Sequence, residues 1–305
     1  MMRICLLIVL FFGSVLFASA QDSADVLPPA AKDTLWQRPG HYYARNEDYA
    51  RPEKWGFIKH VPGDLWQIAK VPFKKENLKG LAIVAASTAI LIPFDQDILD
   101  GIKKASDKVD LRRETDYRVL LKFGDTKIFK VPGNINSALY QLGEGGTSMM
   151  VAGGLYLYGK INKDYRALQT ASDITETFIT MGITTQIIKR ISGRQSPFMS
   201  TQRGGAWNPF PSFKEYQVNT SNYDAFPSGH LATMMATVTV LTTNYPEKQW
   251  LKVVGYGLIG LTGWAMVNTD VHWVGDYPLG LALGYISGKI TCLRHKKVIP
   301  KKVVW

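Results

Sequence analysis

Apolar positions in this chain collect in six stretches, at about 78–94, 141–159, 171–191, 229–244, 250–268 and 277–293, each bounded by Gly, Pro or charged residues. Inside them the apolar side chains recur at three- and four-residue spacing or run without interruption, the pattern of amphipathic and buried helices. Alternation with period two is scarce, so the predicted class is all-α, with a six-helix core. Between the first two stretches lies a polar insert, 95–138, in which Asp107 to Phe123 has an amphipathic pattern and is expected to form a surface helix. Nothing repeats at a fixed period, so a solenoid or propeller is not expected.

The ends differ from this core. Residues 1–20 carry Arg3, an apolar run from Ile4 to Phe17, and then Ala18-Ser19-Ala20, the order of a secretory signal with a small-residue cleavage site. Residues 21–77 mix six prolines with Trp36, Trp55 and Trp66 and show no period, which predicts an irregular extension packed through its aromatic rings. The main domain is then 78–293, followed by a basic tail, 294–305, with Arg294, Lys296, Lys297, Lys301 and Lys302. The apolar runs span only about 12–17 residues between charges, short of the ~20 needed to cross a bilayer. Six spans after a cleaved leader would also leave the basic tail outside, against the positive-inside tendency. The expected location is therefore periplasm or cell envelope, with a membrane surface as a partner; a retained leader acting as a further span is the alternative.

Composition narrows the partners. With 36 Lys and Arg against 25 Asp and Glu, the net charge is +11, which attracts anions: nucleic acid, acidic lipid or phosphorylated substrates. No basic run interleaved with aromatics and no zinc-finger pattern is present, so nucleic acid is not an expected partner. Of the two cysteines, Cys5 would leave with the leader and Cys292 would remain alone, with no internal disulfide to form.

Three short segments place phosphate-compatible groups at helix ends: Lys189 to Pro197, then Pro227-Ser228-Gly229-His230, then His272-Trp273-Val274-Gly275-Asp276. If successive helices run antiparallel, all three fall at one pole of the bundle. At a helix start, Pro227 suits the first turn and Ser228 can cap. Gly229 admits an anion close to unpaired N–H groups at the positive end of the dipole. His272 and Asp276, four apart, share a helical face, so the carboxylate can orient the imidazole and leave its other nitrogen nucleophilic. His230 can then serve as general acid. Taken singly, each segment also reads as ordinary capping. Metal binding by two His and an Asp is disfavoured, because Lys189 and Arg194 would repel a cation and no compact ligand pattern appears.

The order of these segments resembles the three signatures of the phosphatidic acid phosphatase type 2 and vanadium haloperoxidase superfamily, over about residues 78–293. The resemblance implies a six-helix core and a metal-independent phosphohydrolase without cofactor. It further implies a phosphohistidine at His272 oriented by Asp276, leaving-group protonation by His230, and phosphate binding by Lys189, Ser228 and the Gly229 N–H. Two family arginines are replaced, by Ser196 ahead of Pro197 and by Met266 after Ala265. Arg194 is the nearest substitute phosphate ligand, with Arg190 and Arg203 as further cations. The implied substrate is a phosphorylated lipid, a lipid pyrophosphate or a small exported phosphoester. The two arginine losses leave room for a member that binds phosphorylated lipid without turnover or serves as an envelope structural protein. Vanadate-dependent halide oxidation is a third reading of the same pocket.

Overall fold

The computed structural model describes Tyr49, residues 51–123 and residues 126–295. The leader, most of the Pro-rich extension and the last ten residues of the basic tail lie outside the described residues. Six long helices form the bundle, and their positions follow the apolar stretches. They are α3 (Leu78–Leu91), α6 (Gly145–Asn162), α7 (Tyr165–Ser192), α9 (Gly229–Asn244), α10 (Trp250–Asn268) and α11 (Tyr277–His295). They are joined among the described residues by α1 (Gly56–Lys59), α2 (Val61–Lys70), α5 (Ile135–Leu142) and α8 (Phe213–Val218), and by α4 (Asp95–Lys108), which equals α3 in length and lies in the insert.

α7 starts six residues before the apolar pattern does, because Asp164 caps it by accepting from the Ala167 N–H. Its first turns bury polar groups beside Ala167 and Leu168: Gln169 donates to Asp173, and Asn244 of α9 donates to both Thr170 and Asp173. At its other end Gly193 adopts a left-handed conformation, φ 56°, and returns its N–H to the Lys189 carbonyl at 2.8 Å.

Two expectations are corrected. The region 51–77 is mostly helical, with α1, α2 and two short 3₁₀ turns, and Trp55 and Trp66 point outward instead of packing. α2 docks through a buried charge cluster: Asp64 pairs with Arg294 of α11, and His60 Nδ1 lies 3.5 Å from Glu176 Oε2 of α7. Burial, and then the nearby Asp173, push the Glu176 carboxyl up to about 8. The second correction concerns Asp107–Phe123, which is no amphipathic helix. The helix lies earlier, as α4, which buries Ile98, Leu99 and Ile102 on one face. Tyr117–Phe123 (β1) instead pairs antiparallel with Thr126–Pro132 (β2). Tyr117, Val119, Leu121 and Phe123 fall two apart with Arg118 and Lys122 between them, Leu120 breaking the alternation, and Gly124-Asp125 is a hairpin signal in the sequence.

The core joins α4, α9, α10 and the start of α11 through Ile98, Leu99, Leu231, Met234, Met266 and Trp273, among others. What brings α11 against α9 is a stripe of Gly280, Gly284 and Gly288, one per turn. A Cβ on these residues would lie 2.6 Å from the Ser228 carbonyl oxygen, 2.2 Å from that of Ala232 and 2.9 Å from Thr239 Cβ, respectively. The exterior is apolar over long tracts. The helical stretch Lys75–Lys108 contains an 18-residue window of mean hydropathy 1.6 with almost none of it buried, and Trp250–Asn268 one of 1.3. By length and composition both could cross a membrane. α6 likewise turns Met150, Leu157, Tyr158 and Ile161 outward.

Candidate active site

The glycine-mediated contact of α9 with α11 sets the centre of the site. Ser228 is the N-cap of α9, its side chain accepting from the Leu231 N–H at 3.4 Å. Its own N–H donates to the Asp276 carbonyl at 3.0 Å. The second and third motif segments are thus joined by a backbone hydrogen bond. Pro227 stands before the cap, not in the first turn where the sequence suggested it.

Around that joint the predicted residues gather. The His230 and His272 rings meet edge-on with centroids 5.6 Å apart, and Tyr140 of α5 packs on the other side of His230 at 5.1 Å. Lys189, near the end of α7, reaches Gly229 closely enough that a Cβ there would sit 3.6 Å from its Nζ. The same ammonium lies 3.4 Å from Asp224 Oδ2. His272 Nδ1 lies 3.4 Å from Asp276 Oδ2, an oxygen that also accepts from the Trp273 N–H at 2.9 Å. His272, Asp276, Ser228 and Lys189 are all buried, whereas His230 and Gly229 keep partial contact with solvent. The three segments therefore converge at one end of the bundle, as antiparallel packing required.

Burial decides the protonation states. It pushes His272 down to about 3, assisted by the positive charge of Lys189 and partly opposed by Asp224 and a hydrogen bond with the Ala225 backbone. His230 is driven well below the ordinary imidazole range by burial first, then by His272 and Lys189. Both rings are consequently neutral at pH 7, and the His272–Asp276 contact is a hydrogen bond to a neutral imidazole rather than an ion pair. Asp276 is raised to about 6 by burial, with Arg194 and the Trp273 N–H pulling it back.

Arg194 is where the structure departs from the expected phosphate ligands. Its guanidinium is wholly buried, donating from Nη1 to Asp276 Oδ1 at 2.7 Å and pairing through Nη2 with Asp95 Oδ2, while Nη2 also reaches the Gly204 carbonyl at 2.8 Å. Trp207 and Trp273 cover its faces at 4.9 and 5.4 Å. Held by two carboxylates and covered by two indoles, the guanidinium stands behind Asp276 and turns its Nη donors to Asp276 and Asp95, while its buried Nε keeps no hydrogen-bond partner. The other cations do not replace it: Arg190 bonds Gln186 and stacks on Tyr216, and Arg203 pairs with Asp97 at the surface. Met266 is fully buried in the apolar core, and Ser196 is buried with its N–H on the Ser221 carbonyl. Among the described residues, Lys189 is the cation that faces the two imidazoles.

Two contributors were missed from sequence. Asp224 precedes Ala225-Phe226-Pro227 and had only that adjacency to mark it. Asp95, at the start of α4, had no signal, because its partners lie about a hundred residues and more away.

Residues 171–299 match the model of the PAP2 superfamily. A lipid A 1-phosphatase of Porphyromonas gingivalis is 30% identical over 80 residues, 26% of this chain and 18% of that protein. The chain thus spans under a fifth of the length of that relative. A transmembrane PAP2 type phosphatidylglycerolphosphate phosphatase of Bacillus subtilis overlaps 81% of this chain and 100% of its own, at 14% identity and a TM-score of 0.38. The assignment rests on the sequence match and on the three segments within it. Lys189, Ser228 to His230 and His272 to Asp276 all lie inside residues 171–299, the part of the chain that matches the PAP2 superfamily model.

Proposed function

We propose that this protein is a metal-independent phosphatase that releases phosphate from a phosphorylated lipid, or a related exported phosphoester, through a phosphohistidine at His272. The observation that carries the reading is the edge-on meeting of His230 and His272 beside Lys189, with Asp276 behind the second ring.

The steps follow from these positions. Lys189 and the N–H groups at the start of α9 take the phosphate oxygens, where an ammonium and a helix N-terminus both favour negative charge. Asp276 accepts the Nδ1–H of His272, which leaves Nε2 with its lone pair for attack on phosphorus. As the nitrogen–phosphorus bond forms, the bond to the leaving oxygen breaks and His230 supplies that oxygen with a proton. Water then attacks the phosphohistidine, His230 takes the proton from it, and phosphate departs with His272 restored. Because His230 is neutral in the free protein, its proton enters with the substrate, whose negative charge stabilises the imidazolium.

A lipid-borne substrate suits the exterior, where outward apolar helices supply a surface that would sit in or against a bilayer. The matched Porphyromonas gingivalis protein is itself named for a lipid phosphate. Export to the periplasm or envelope is part of the same proposal, through the leader at residues 1–20.

A second reading has one specific support: no arginine stands at Ser196 or Met266, and Arg194 is occupied. Two missing charge-assisted contacts weaken transition-state binding by about 3–6 kcal/mol, on the order of 10²–10⁴ in rate. On that reading the protein binds phosphorylated lipid without useful turnover. Purified protein assayed with phosphatidic acid and an aryl phosphate in EDTA separates the two. EDTA-resistant release of phosphate that disappears in His272→Ala supports the phosphatase. Vanadate or phosphate binding with no turnover in the intact protein replaces it with the binding role.

A further inference from the structure

Asp276 must do two things that compete. It is bonded to Arg194 through Oδ1 and to His272 through Oδ2, and a lone guanidinium 2.7 Å away would cancel the charge that the imidazole needs. The structure places a second carboxylate on that guanidinium. We propose, resting on the phosphatase reading above, that Asp95 is a positioning residue for the His272–Asp276 pair. It shares Arg194 and grips the Gly275 amide, and so keeps Asp276 oriented and negatively charged towards His272.

The geometry supports this from two sides. Asp95 Oδ2 takes Arg194 Nη2, so one positive charge is divided between two carboxylates and the buried group keeps a net negative charge. Asp95 Oδ1 accepts the Gly275 N–H at 2.7 Å, which fixes the peptide just before Asp276. Gly275 is shaped to this contact: a Cβ there would stand 2.8 Å from Asp95 Oδ2 and 3.0 Å from Ile92 Cγ1. An ion pair that served packing alone would not also need the backbone of the catalytic turn. Asp95 lies outside the family-matched residues 171–299, so α4, in the insert, supplies part of the support for the site. The charged and titratable groups that face Asp276 are Asp95 from α4, Lys189 from α7, Arg194 from the loop after α7, and His272 from its own turn. Tyr277, next in the chain, is coupled to both Asp276 and Asp95, and Asp224, before α9, and His230, on α9, lie by His272.

Asp95→Asn tests the inference, because the amide can still accept from Gly275 but no longer offsets Arg194. The expected result is a kcat lower by ~10-fold or more with KM little changed, as for removal of a group that supports a reacting residue. The acid limb of kcat/KM, near pH 6 where the Asp95–Asp276 pair titrates, should move to lower pH as the like charge of Asp95 is removed. The double variant Asp95→Asn/Arg194→Gln should regain part of the lost kcat, a non-additivity that a structural ion pair would not show. A single variant with wild-type kcat and an unmoved acid limb overturns the proposal, whatever happens to its melting temperature. If Asp95→Asn does not fold, Gly275→Ala displaces the same carboxylate, and an unaltered kcat in that variant is equally fatal. The ¹⁵N resonances of the His272 ring need no turnover. A change in Nδ1 between wild type and Asp95→Asn upholds the relay even if the protein proves not to be a phosphatase, and identical resonances sink it.

Discussion

Replacing Gly284 by Ala tests how the site is assembled. The new methyl would lie 2.2 Å from the Ala232 carbonyl oxygen and 3.0 Å from the Ala236 nitrogen, both backbone atoms that cannot rotate away. Restoring a normal contact requires α11 to withdraw from α9 by about 1 Å, which forfeits a quarter to a half of each dispersion contact along the interface. Overpacking of this kind costs about 1–3 kcal/mol, and a helical Gly→Ala change returns about 1 kcal/mol, so a net loss of ~2 kcal/mol is expected for a clash with rigid atoms. In a chain of this size that is roughly 3 °C in melting temperature. Gly182→Ala in α7 is the matched control. Nothing lies within 4 Å of its Cβ, so only the helical gain remains and Tm should rise slightly. Thermal unfolding followed by circular dichroism reads both, and phosphatase kcat adds a second readout. Gly284→Ala should lower kcat as well, because withdrawal of α11 carries Asp276 away from the Ser228 N–H. If Gly284→Ala melts at or above the wild-type temperature, the idea that the glycine stripe sets the approach of the two motif segments is wrong.

Three further outcomes are expected. Lys189→Met, which removes the cation beside the imidazoles, should raise KM for a phosphate ester and weaken vanadate inhibition by ~10-fold or more, the worth of one charge-assisted hydrogen bond; equal constants would remove Lys189 from the anion site. Since the free His230 lies well below its ordinary pKa and a bound dianion raises it, phosphate binding near pH 6 should take up protons, not release them. Titration calorimetry in buffers of different ionisation enthalpy measures that sign, and zero uptake would exclude His230 as the proton carrier. Arg294→Met leaves Asp64 and Glu176 without their shared cation and should destabilise the protein by ~3 kcal/mol, at the lower end for a buried pair because Arg294 keeps some contact with solvent. Because burial raises Glu176 to about 8, the deficit should grow as pH rises through that value and the carboxyl ionises without the cation, and a deficit that shrinks on going to higher pH would contradict this account.

The amino-acid sequence by itself determined the six long helices and the residues that meet between them. Helical periodicity is a local property, readable wherever an apolar face repeats, and α9 and α10 occupy the stretches read from it. Chain order then brought Lys189, Ser228 to His230 and His272 to Asp276 to one end, since antiparallel neighbours alternate their poles. Where the local pattern was mixed it misled. The pattern over 107–123 reads as a helix although its second half is strand β1, and the first turns of α7 lack an apolar period because Ala167 and Leu168 alternate with buried polar groups satisfied by α9. Tertiary structure alone decided how the charges pair. Arg194 and Lys189 are five residues apart and equally cationic in sequence, yet one is locked between Asp95 and Asp276 and the other faces the imidazoles. A charge takes its role from what lies within a few ångströms, and Arg194 meets its Asp95 partner across 99 residues of chain, a proximity that only packing creates.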